Sequence, residues 1–140
     1  LGGEFAPSLE LARADGTLLV LPPNGPSPRL VHFWATWCGP CRDELPGLLE
    51  LGSQLGAGKL EILAIAVDDE WPAVTSFFGG KVPPGVFLAR NHEGQRRFGV
   101  STLPDTYFVT ADGRVVERYH GARDWMSGAA RQHLIKVIAE

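Results

Sequence analysis

An α/β fold with a mixed central sheet is predicted from three features of the chain. Residues 30–35 and 60–67 are nearly continuous apolar runs, as is typical of strands covered on both faces. A pattern with helical spacing lies between them, which predicts two parallel strands joined by a crossover helix. Later, the turn signal Asp112-Gly113 separates two further apolar segments and predicts an antiparallel hairpin. The sheet should therefore contain both strand directions and have helices on both faces.

The first half of the chain predicts a hairpin, a strand and a long helix. Leucines and a valine flank Asp15-Gly16, so residues 8–20 should form a β-hairpin, followed by an irregular proline-rich connection over residues 22–26. After the strand at 30–35, apolar residues recur at helical spacing from Pro40 to about Leu55. Pro46 lies inside this helix, where it should remove one backbone hydrogen bond and bend the axis.

The second half predicts an extra helix and strand before the late hairpin. After the strand at 60–67, Asp68-Asp69-Glu70 should lead into a helix over residues 71–78, which Gly79-Gly80 ends. A short strand over 86–89 and a short helix over 93–98 follow. The hairpin should then pair residues 105–110 with 114–120.

A last helix should follow the hairpin, and Asp124 is expected to be its N-cap. Its apolar face comprises Met126, Ala130, His133, Leu134 and Val137.

Length and composition are those of one soluble domain covering residues 1–140. Hydrophobic residues make up 44% of the chain and charged residues 21%, and the formal net charge is −3. This charge, with no long run of Lys or Arg, argues against a nucleic-acid partner. No apolar stretch approaches the roughly 18–20 residues of a membrane span, and no signal peptide is visible. Since the chain begins at Leu1 rather than Met, we expect that it begins inside a longer product, and a signal or anchor helix is one candidate for the preceding segment.

The chain has only two cysteines, Cys38 and Cys41, and they stand where the first buried strand meets the long helix. Thiols at this spacing can close and reopen a small disulfide ring, and a helix N-terminus favours a thiolate. Zinc would need about four ligands, and the four histidines are scattered, so we expect no metal site. Arg42 stands where haem attachment requires histidine. A disulfide across so short a loop would stabilise the fold little. The pair therefore predicts redox chemistry, with the Cys38–Cys41 disulfide as redox group and no other cofactor.

Two longer segments resemble one branch of the thioredoxin superfamily. They are FWATWCGPCRDELP at residues 33–46 and GVSTLPDTYFVTADGRVV at residues 99–116. Both are similar to TlpA, ResA and CcmG (DsbE), which are bacterial thiol-disulfide oxidoreductases that are usually exported or membrane-anchored. The resemblance implies a thioredoxin-like three-layer fold with an N-terminal β-hairpin and a central helix-strand insertion. The long separation between Cys38 and Pro104 accommodates that insertion and favours this branch over cytosolic thioredoxin.

The resemblance also implies roles for individual residues. Pro104 matches a cis-proline that faces the dithiol, and Leu103 matches the residue whose backbone pairs with a bound substrate strand. From local sequence alone, Leu103-Pro104 could equally just begin a strand. Trp37, Gly39 and Pro40 should complete the substrate-binding surface. Gly39-Pro40 resembles the strongly reducing thioredoxin and favours a disulfide reductase.

The two cysteines should act in sequence. Cys38, at the start of the helix and beside Trp37, should be exposed and act as the nucleophile. Cys41, one turn later on the apolar face, should be buried and resolve the mixed disulfide.

His32 and Glu44 are the candidates for moving a proton to or from Cys41. His32 stands where thioredoxin has a buried aspartate, and an imidazole has a pKa near neutrality. It could instead be a hydrogen-bonded core residue that only fills space. Glu44 matches an acidic residue of the branch and should lie on the face of the helix that carries Cys41. It could instead be a solvated residue paired with a neighbour such as Arg42.

The leading hypothesis is an enzyme that reduces disulfides of exported proteins, in cytochrome c maturation or copper-site assembly. Its partners would be cysteine-containing protein substrates and an upstream membrane thiol reductant. It should be a periplasmic or extracytoplasmic monomer that is membrane-bound only through a missing N-terminal anchor; the alternative location is the cytoplasm. A second hypothesis is a thioredoxin-fold module that holds clients or copper through its two cysteines without turnover. A weaker third is a peroxide-reducing relative.

Overall fold

A mixed sheet organises the chain, and a computed structural model describes residues 4–56, 58–67, 70–89 and 92–139. Within these ranges the chain forms eight strands and four helices. The strands are β1 (Glu4–Phe5), β2 (Leu9–Ala12), β3 (Leu18–Leu21), β4 (Arg29–Trp34), β5 (Glu61–Ala66), β6 (Val86–Ala89), β7 (Asp105–Val109) and β8 (Arg114–His120). The helices are α1 (Gly39–Leu55), α2 (Trp71–Phe77), α3 (Glu93–Phe98) and α4 (Gly128–Ala139).

The sheet has the strand order β1-β8-β7-β4-β5-β6-β2-β3. Strands β4, β5 and β6 are parallel neighbours, because α1 and α2 carry the chain back after β4 and β5. Strand β7 is antiparallel to β4 and places Thr106 opposite His32. The predicted mixed sheet is confirmed, and β4 lies near its centre.

Alternate residues of β4 face different helical layers. Trp34 packs on Phe77 of α2 with ring centroids 5.3 Å apart, and Leu30 belongs to the apolar cluster that includes Leu48 of α1. On the opposite face, Phe33 lies 5.3 Å from Phe98 of α3. Because successive side chains of a strand point to opposite faces, the sheet lies between two helical layers. This is the predicted three-layer arrangement.

The predicted N-terminal hairpin is formed by β2 and β3. Gly16 has a φ of +88° in its turn, where the absence of a Cβ avoids strain. The Asp15 carboxylate accepts hydrogen bonds from the backbone and the hydroxyl of Thr17. Strand β2 pairs with β6, so the hairpin extends the sheet beside the inserted α2 and β6. The predicted lead-in at Asp68-Asp69 lies outside the described residues, and the short β1 was not predicted.

The last helix begins later than predicted, and Asp124 is not its N-cap. The Ser127 hydroxyl accepts a hydrogen bond from the Ala130 amide at 3.1 Å, so Ser127 occupies the cap position. Asp124 instead accepts from the Met126 amide within the preceding turn. The buried side chain of Trp125 bonds to another part of the molecule, and this contact keeps residues 122–126 out of the helix.

A buried ion pair joins the end of α3 to the β7–β8 hairpin. Arg118 contacts the fully buried Asp105 through Nη2 at 2.7 Å and Nε at 3.2 Å. The Tyr107 hydroxyl donates to Asp105 Oδ2 at 2.7 Å and lies 3.1 Å from the Phe98 carbonyl oxygen. Because Asp105 directly follows Pro104, this network holds the start of β7 in place.

Removing the Tyr107 hydroxyl should destabilise the fold. We expect Tyr107→Phe to lower the free energy of unfolding by about 1–2 kcal/mol, since a buried carboxylate loses one of its donors. Urea denaturation of the oxidised protein measures this change. Tyr119→Phe is the control, because its hydroxyl bonds to the partly exposed Glu117 and should cost less. Equal losses in the two variants would contradict the role given to the Asp105 network.

Candidate active site

Cys38 and Cys41 form a disulfide bond at the N-terminus of α1, with their Cα atoms 5.3 Å apart. Cys38 is the N-cap residue, with an extended backbone, and its sulfur accepts a hydrogen bond from the Cys41 amide at 3.3 Å. Pro40 lies in the first turn, where a missing amide hydrogen costs nothing. The Cys41 N–H and the positive end of the helix dipole therefore point at the Cys38 sulfur, and both stabilise a thiolate there.

The two cysteines differ less in exposure than the sequence indicated. Cys41 is fully buried, as expected. Cys38 is only 9% exposed, so the expectation of an exposed nucleophile is wrong for the disulfide form. The bond to Cys41 draws its sulfur toward the helix. Its neighbours Trp37, Gly39 and Pro40 are exposed, so the surface around the disulfide is open to a partner.

A groove of about 490 Å³ runs beside the disulfide. Cys38 and Trp37 line one part of it, and Leu103 lines another. The Leu103–Pro104 peptide bond is cis, and β7 begins at the next residue, so the dipeptide has the expected cis geometry and also precedes a strand. The structure therefore brings Cys38, Trp37 and Leu103 to one groove, with Pro104 buried directly after Leu103.

Glu44 lies on the same helix as Cys41, and its side chain is completely buried. Its Oε2 atom accepts hydrogen bonds from the Arg123 amide at 2.9 Å and from the indole Nε1 of Trp125 at 2.6 Å. The alternative of a solvated helix residue paired with Arg42 is therefore wrong. Burial raises the pKa of Glu44 above its usual range, and these two hydrogen bonds partly oppose that rise.

His32 is fully buried between Glu44 and the neighbouring strand. Its Nδ1 atom lies 2.8 Å from the Thr106 hydroxyl, and its Nε2 atom lies 3.5 Å from Glu44 Oε1. Among the described residues, neither Nε2 nor Oε1 has a hydrogen-bond partner. Burial lowers the pKa of His32 to about 3, so the ring is neutral at pH 7. One proton between these two atoms would satisfy both of them.

Three residues that contact Glu44 or His32 were not predicted from the sequence: Thr106, Arg123 and Trp125. Thr106 is found only once the register of β4 against β7 is known. Arg123 and Trp125 lie about 80 positions after Glu44 in an irregular turn, and no local pattern connects them with it. The one sequence signal is Trp125 itself, because a large aromatic residue in a turn has a donor N–H and a large apolar surface to bury.

Over the described part of the chain, no group of three or more His, Cys, Asp and Glu residues is arranged to hold a metal ion. Within the same ranges, none of the helices is both long and apolar enough to span a lipid bilayer.

Residues 3–118 match the AhpC/TSA family. The thiol-disulfide oxidoreductase ResA of Bacillus anthracis is 30% identical over 122 residues, which cover 85% of this chain and 69% of ResA. The thiol:disulfide interchange protein DsbE homolog of Paracoccus denitrificans is 31% identical over 123 residues, which cover 85% of this chain and 66% of that protein.

Solved structures share the fold. A thiol:disulfide interchange protein of the thioredoxin family from Chlorobium tepidum superposes with a TM-score of 0.81 at 24% identity, covering 100% of this chain and 99% of that one. StoA from Bacillus subtilis superposes with a TM-score of 0.73 at 17% identity, covering 96% and 97%. The fold is thus thioredoxin-like, as the resemblance implied. The chain belongs to the AhpC/TSA family and, within it, to the thiol-disulfide oxidoreductases related to ResA and DsbE.

Proposed function

We propose that this chain reduces disulfides in exported proteins by thiol-disulfide exchange through Cys38 and Cys41. The observation that carries the proposal is the Cys38 sulfur at the N-cap of α1, beside an open groove and bonded to the buried Cys41. Its substrates are proteins that contain cysteine pairs. The dithiol is itself the redox group of this reaction.

In the first step the Cys38 thiolate attacks one sulfur of a substrate disulfide. The substrate S–S bond breaks, a mixed disulfide forms, and the other substrate sulfur leaves as a thiolate. The amide of Cys41 and the helix dipole support this step, because both stabilise the Cys38 anion before attack. Trp37 and Leu103 flank the sulfur in the groove and would contact the substrate chain, with Gly39 and Pro40 on the exposed side.

In the second step Cys41 gives its proton to Glu44 and attacks the Cys38 sulfur. The mixed disulfide breaks, the second substrate sulfur leaves as a thiolate that takes up a proton, and two electrons have passed to the substrate. The position of Glu44 supports this proposal, because Glu44 lies three residues after Cys41 on the buried face of α1. A carboxylate with a raised pKa is a stronger base than an exposed one.

His32 would relay the proton from Glu44. When the Thr106 hydroxyl donates to Nδ1, Nε2 carries the ring hydrogen and faces an ionised Glu44. When Nδ1 donates to Thr106, Nε2 can accept from a protonated Glu44. The pair thus alternates between a net charge of −1 and 0, so no isolated positive charge forms in the core.

The relatives named above support a proposal for the cellular setting. We propose an extracytoplasmic location, cytochrome c maturation or copper-site assembly as the pathway, and an upstream membrane thiol reductant that restores the dithiol. The protein would act as a single-domain monomer.

Replacing either cysteine should separate the two chemical steps. We expect Cys38→Ser to abolish the acceleration of insulin reduction by dithiothreitol, leaving only the uncatalysed rate. Cys41→Ser should instead accumulate mixed disulfides on Cys38, visible on non-reducing gels, because the resolving sulfur is missing. The Cys38→Ser/Cys41→Ser double variant is the control and should trap no partner. Tight copper binding by wild-type protein without insulin reduction would favour the binding-module alternative and contradict the proposal.

Glu44→Gln should slow the second step alone. With the reduced protein and Ellman's reagent, the first thiolate released reports attack by Cys38, and the second reports ring closure by Cys41. The wild-type second phase should rise with pH through the raised pKa of Glu44, because only the carboxylate accepts the proton. In Glu44→Gln that inflection should vanish and the rate should fall by roughly 10²-fold.

The matched control for this experiment is Glu50→Gln, an exposed carboxylate on the same helix. It should leave both phases unchanged. A second phase that keeps its rate and its inflection in Glu44→Gln would remove Glu44 from the mechanism.

His32→Asn tests the relay in the same assay. Asparagine can still bond to Thr106 but cannot pass a proton between two ring nitrogens. We expect a slower second phase that retains the Glu44 inflection, while the first phase keeps the wild-type rate. If both phases match wild type, His32 only fills space in the core.

A further inference from the structure

The turn between β8 and α4 carries two hydrogen-bond donors that converge on one carboxylate oxygen. The Arg123 amide and the Trp125 indole reach Glu44 Oε2 at 2.9 and 2.6 Å, and Oε1 is left to face His32. The two oxygens of one carboxylate thus have different partners. The two donors fix the plane of the carboxylate, because a partial rotation would break both hydrogen bonds, whereas a half-turn only exchanges two equivalent oxygens.

We propose that Trp125 is a positioning residue for proton transfer: its indole N–H holds Glu44 ionised and turned toward His32. The inference rests on the proposed function, since it assigns the device that prepares the proposed base. In this role Trp125 acts only through Glu44.

The indole is itself held firmly. Trp125 is 2% exposed, and its ring and the Tyr119 ring form a T-shaped pair with centroids 5.2 Å apart and an interplanar angle of 84°. The guanidinium of Arg123, which lies on the same turn as Trp125, is 5.0 Å from the centroid of the Tyr119 ring. The N–H therefore points at Glu44 from a packed side chain with little freedom to reorient.

The charges around Glu44 make this donor important. His32 faces the carboxylate from β4 and is neutral, and the two cysteines lie at the start of its own helix. Within the described part of the chain, Arg123 is the one cationic side chain that lowers the pKa of Glu44. Burial opposes ionisation, so the hydrogen bonds from Arg123 and Trp125 decide how far the pKa rises. Loss of one donor to a buried carboxylate should raise the titration midpoint by about one pH unit.

Trp125→Phe removes the N–H and keeps most of the ring packing. With ¹³C-labelled glutamate side chains, the Glu44 signal is identified by its absence from Glu44→Gln spectra. We expect the midpoint of the Glu44 titration to move up by about one pH unit. The inflection of the second Ellman phase should move by the same amount, with the first phase unchanged.

Trp34→Phe is the matched control. Trp34 is also fully buried, and among the described residues its indole nitrogen has no hydrogen-bond partner. This variant should leave the Glu44 midpoint where it is in wild type. No shift in Trp125→Phe, or an equal shift in both variants, overturns the proposal.

A measurement on the unmodified chain covers the case in which Trp125→Phe does not fold. The Trp125 indole ¹H–¹⁵N resonance should move with pH at the same midpoint as Glu44 and lose that movement in Glu44→Gln. An indole resonance that does not titrate overturns the proposal. Neither NMR titration involves a substrate, so a failure of the reductase proposal, seen as absent insulin reduction, is distinguished from a failure of this one.

Discussion

The arrangement of the site depends on the hydrogen bonds that satisfy the buried carboxylate of Glu44. Removing a carboxylate from water costs several kcal/mol unless donors replace the solvent. Here the donors come from the turn after β8, and the second oxygen faces His32 of the central strand. Helix α1, strand β4 and the C-terminal turn must therefore be assembled together before Glu44 is satisfied. The environment of Glu44 consequently depends on the packing of the core.

The charge of the His32–Glu44 pair depends on the neutral state of His32. A protonated imidazole beside the apolar residues of β4 would be costly, and burial keeps the ring uncharged at neutral pH. In the mechanism we propose, Glu44 is then the only member of the pair that can carry a negative charge before it accepts the proton of Cys41. We infer that the pair handles one proton at a time, which suits a reaction in which one thiol proton leaves for each disulfide closed.

Much of the fold could be predicted because its signals are local. Apolar runs mark β4 and β5, and Asp-Gly turns mark the two hairpins. The prediction that Asp124 is the N-cap of the last helix was wrong, and the local sequence could not have corrected it. Asp124 and Ser127 are both good N-caps, and the choice between them depends on Trp125, which bonds to a residue 81 positions earlier in the chain. Strand β1 has two residues, too few to show a period.

Part of the candidate site likewise lies in one continuous segment of the sequence, and the rest is brought together by tertiary contacts. Cys38, Cys41 and Glu44 lie within one segment, so the helix alone brings the two cysteines together and places Glu44 on the face of Cys41. Thr106 and Trp125, which bond to His32 and Glu44, are positioned by sheet register and tertiary packing. A local motif can therefore reveal the type of reaction, whereas the proton affinity that sets its pH dependence is determined by the fold. Relatives that share the motif and differ in the turn after β8 should catalyse the same exchange with different pH profiles.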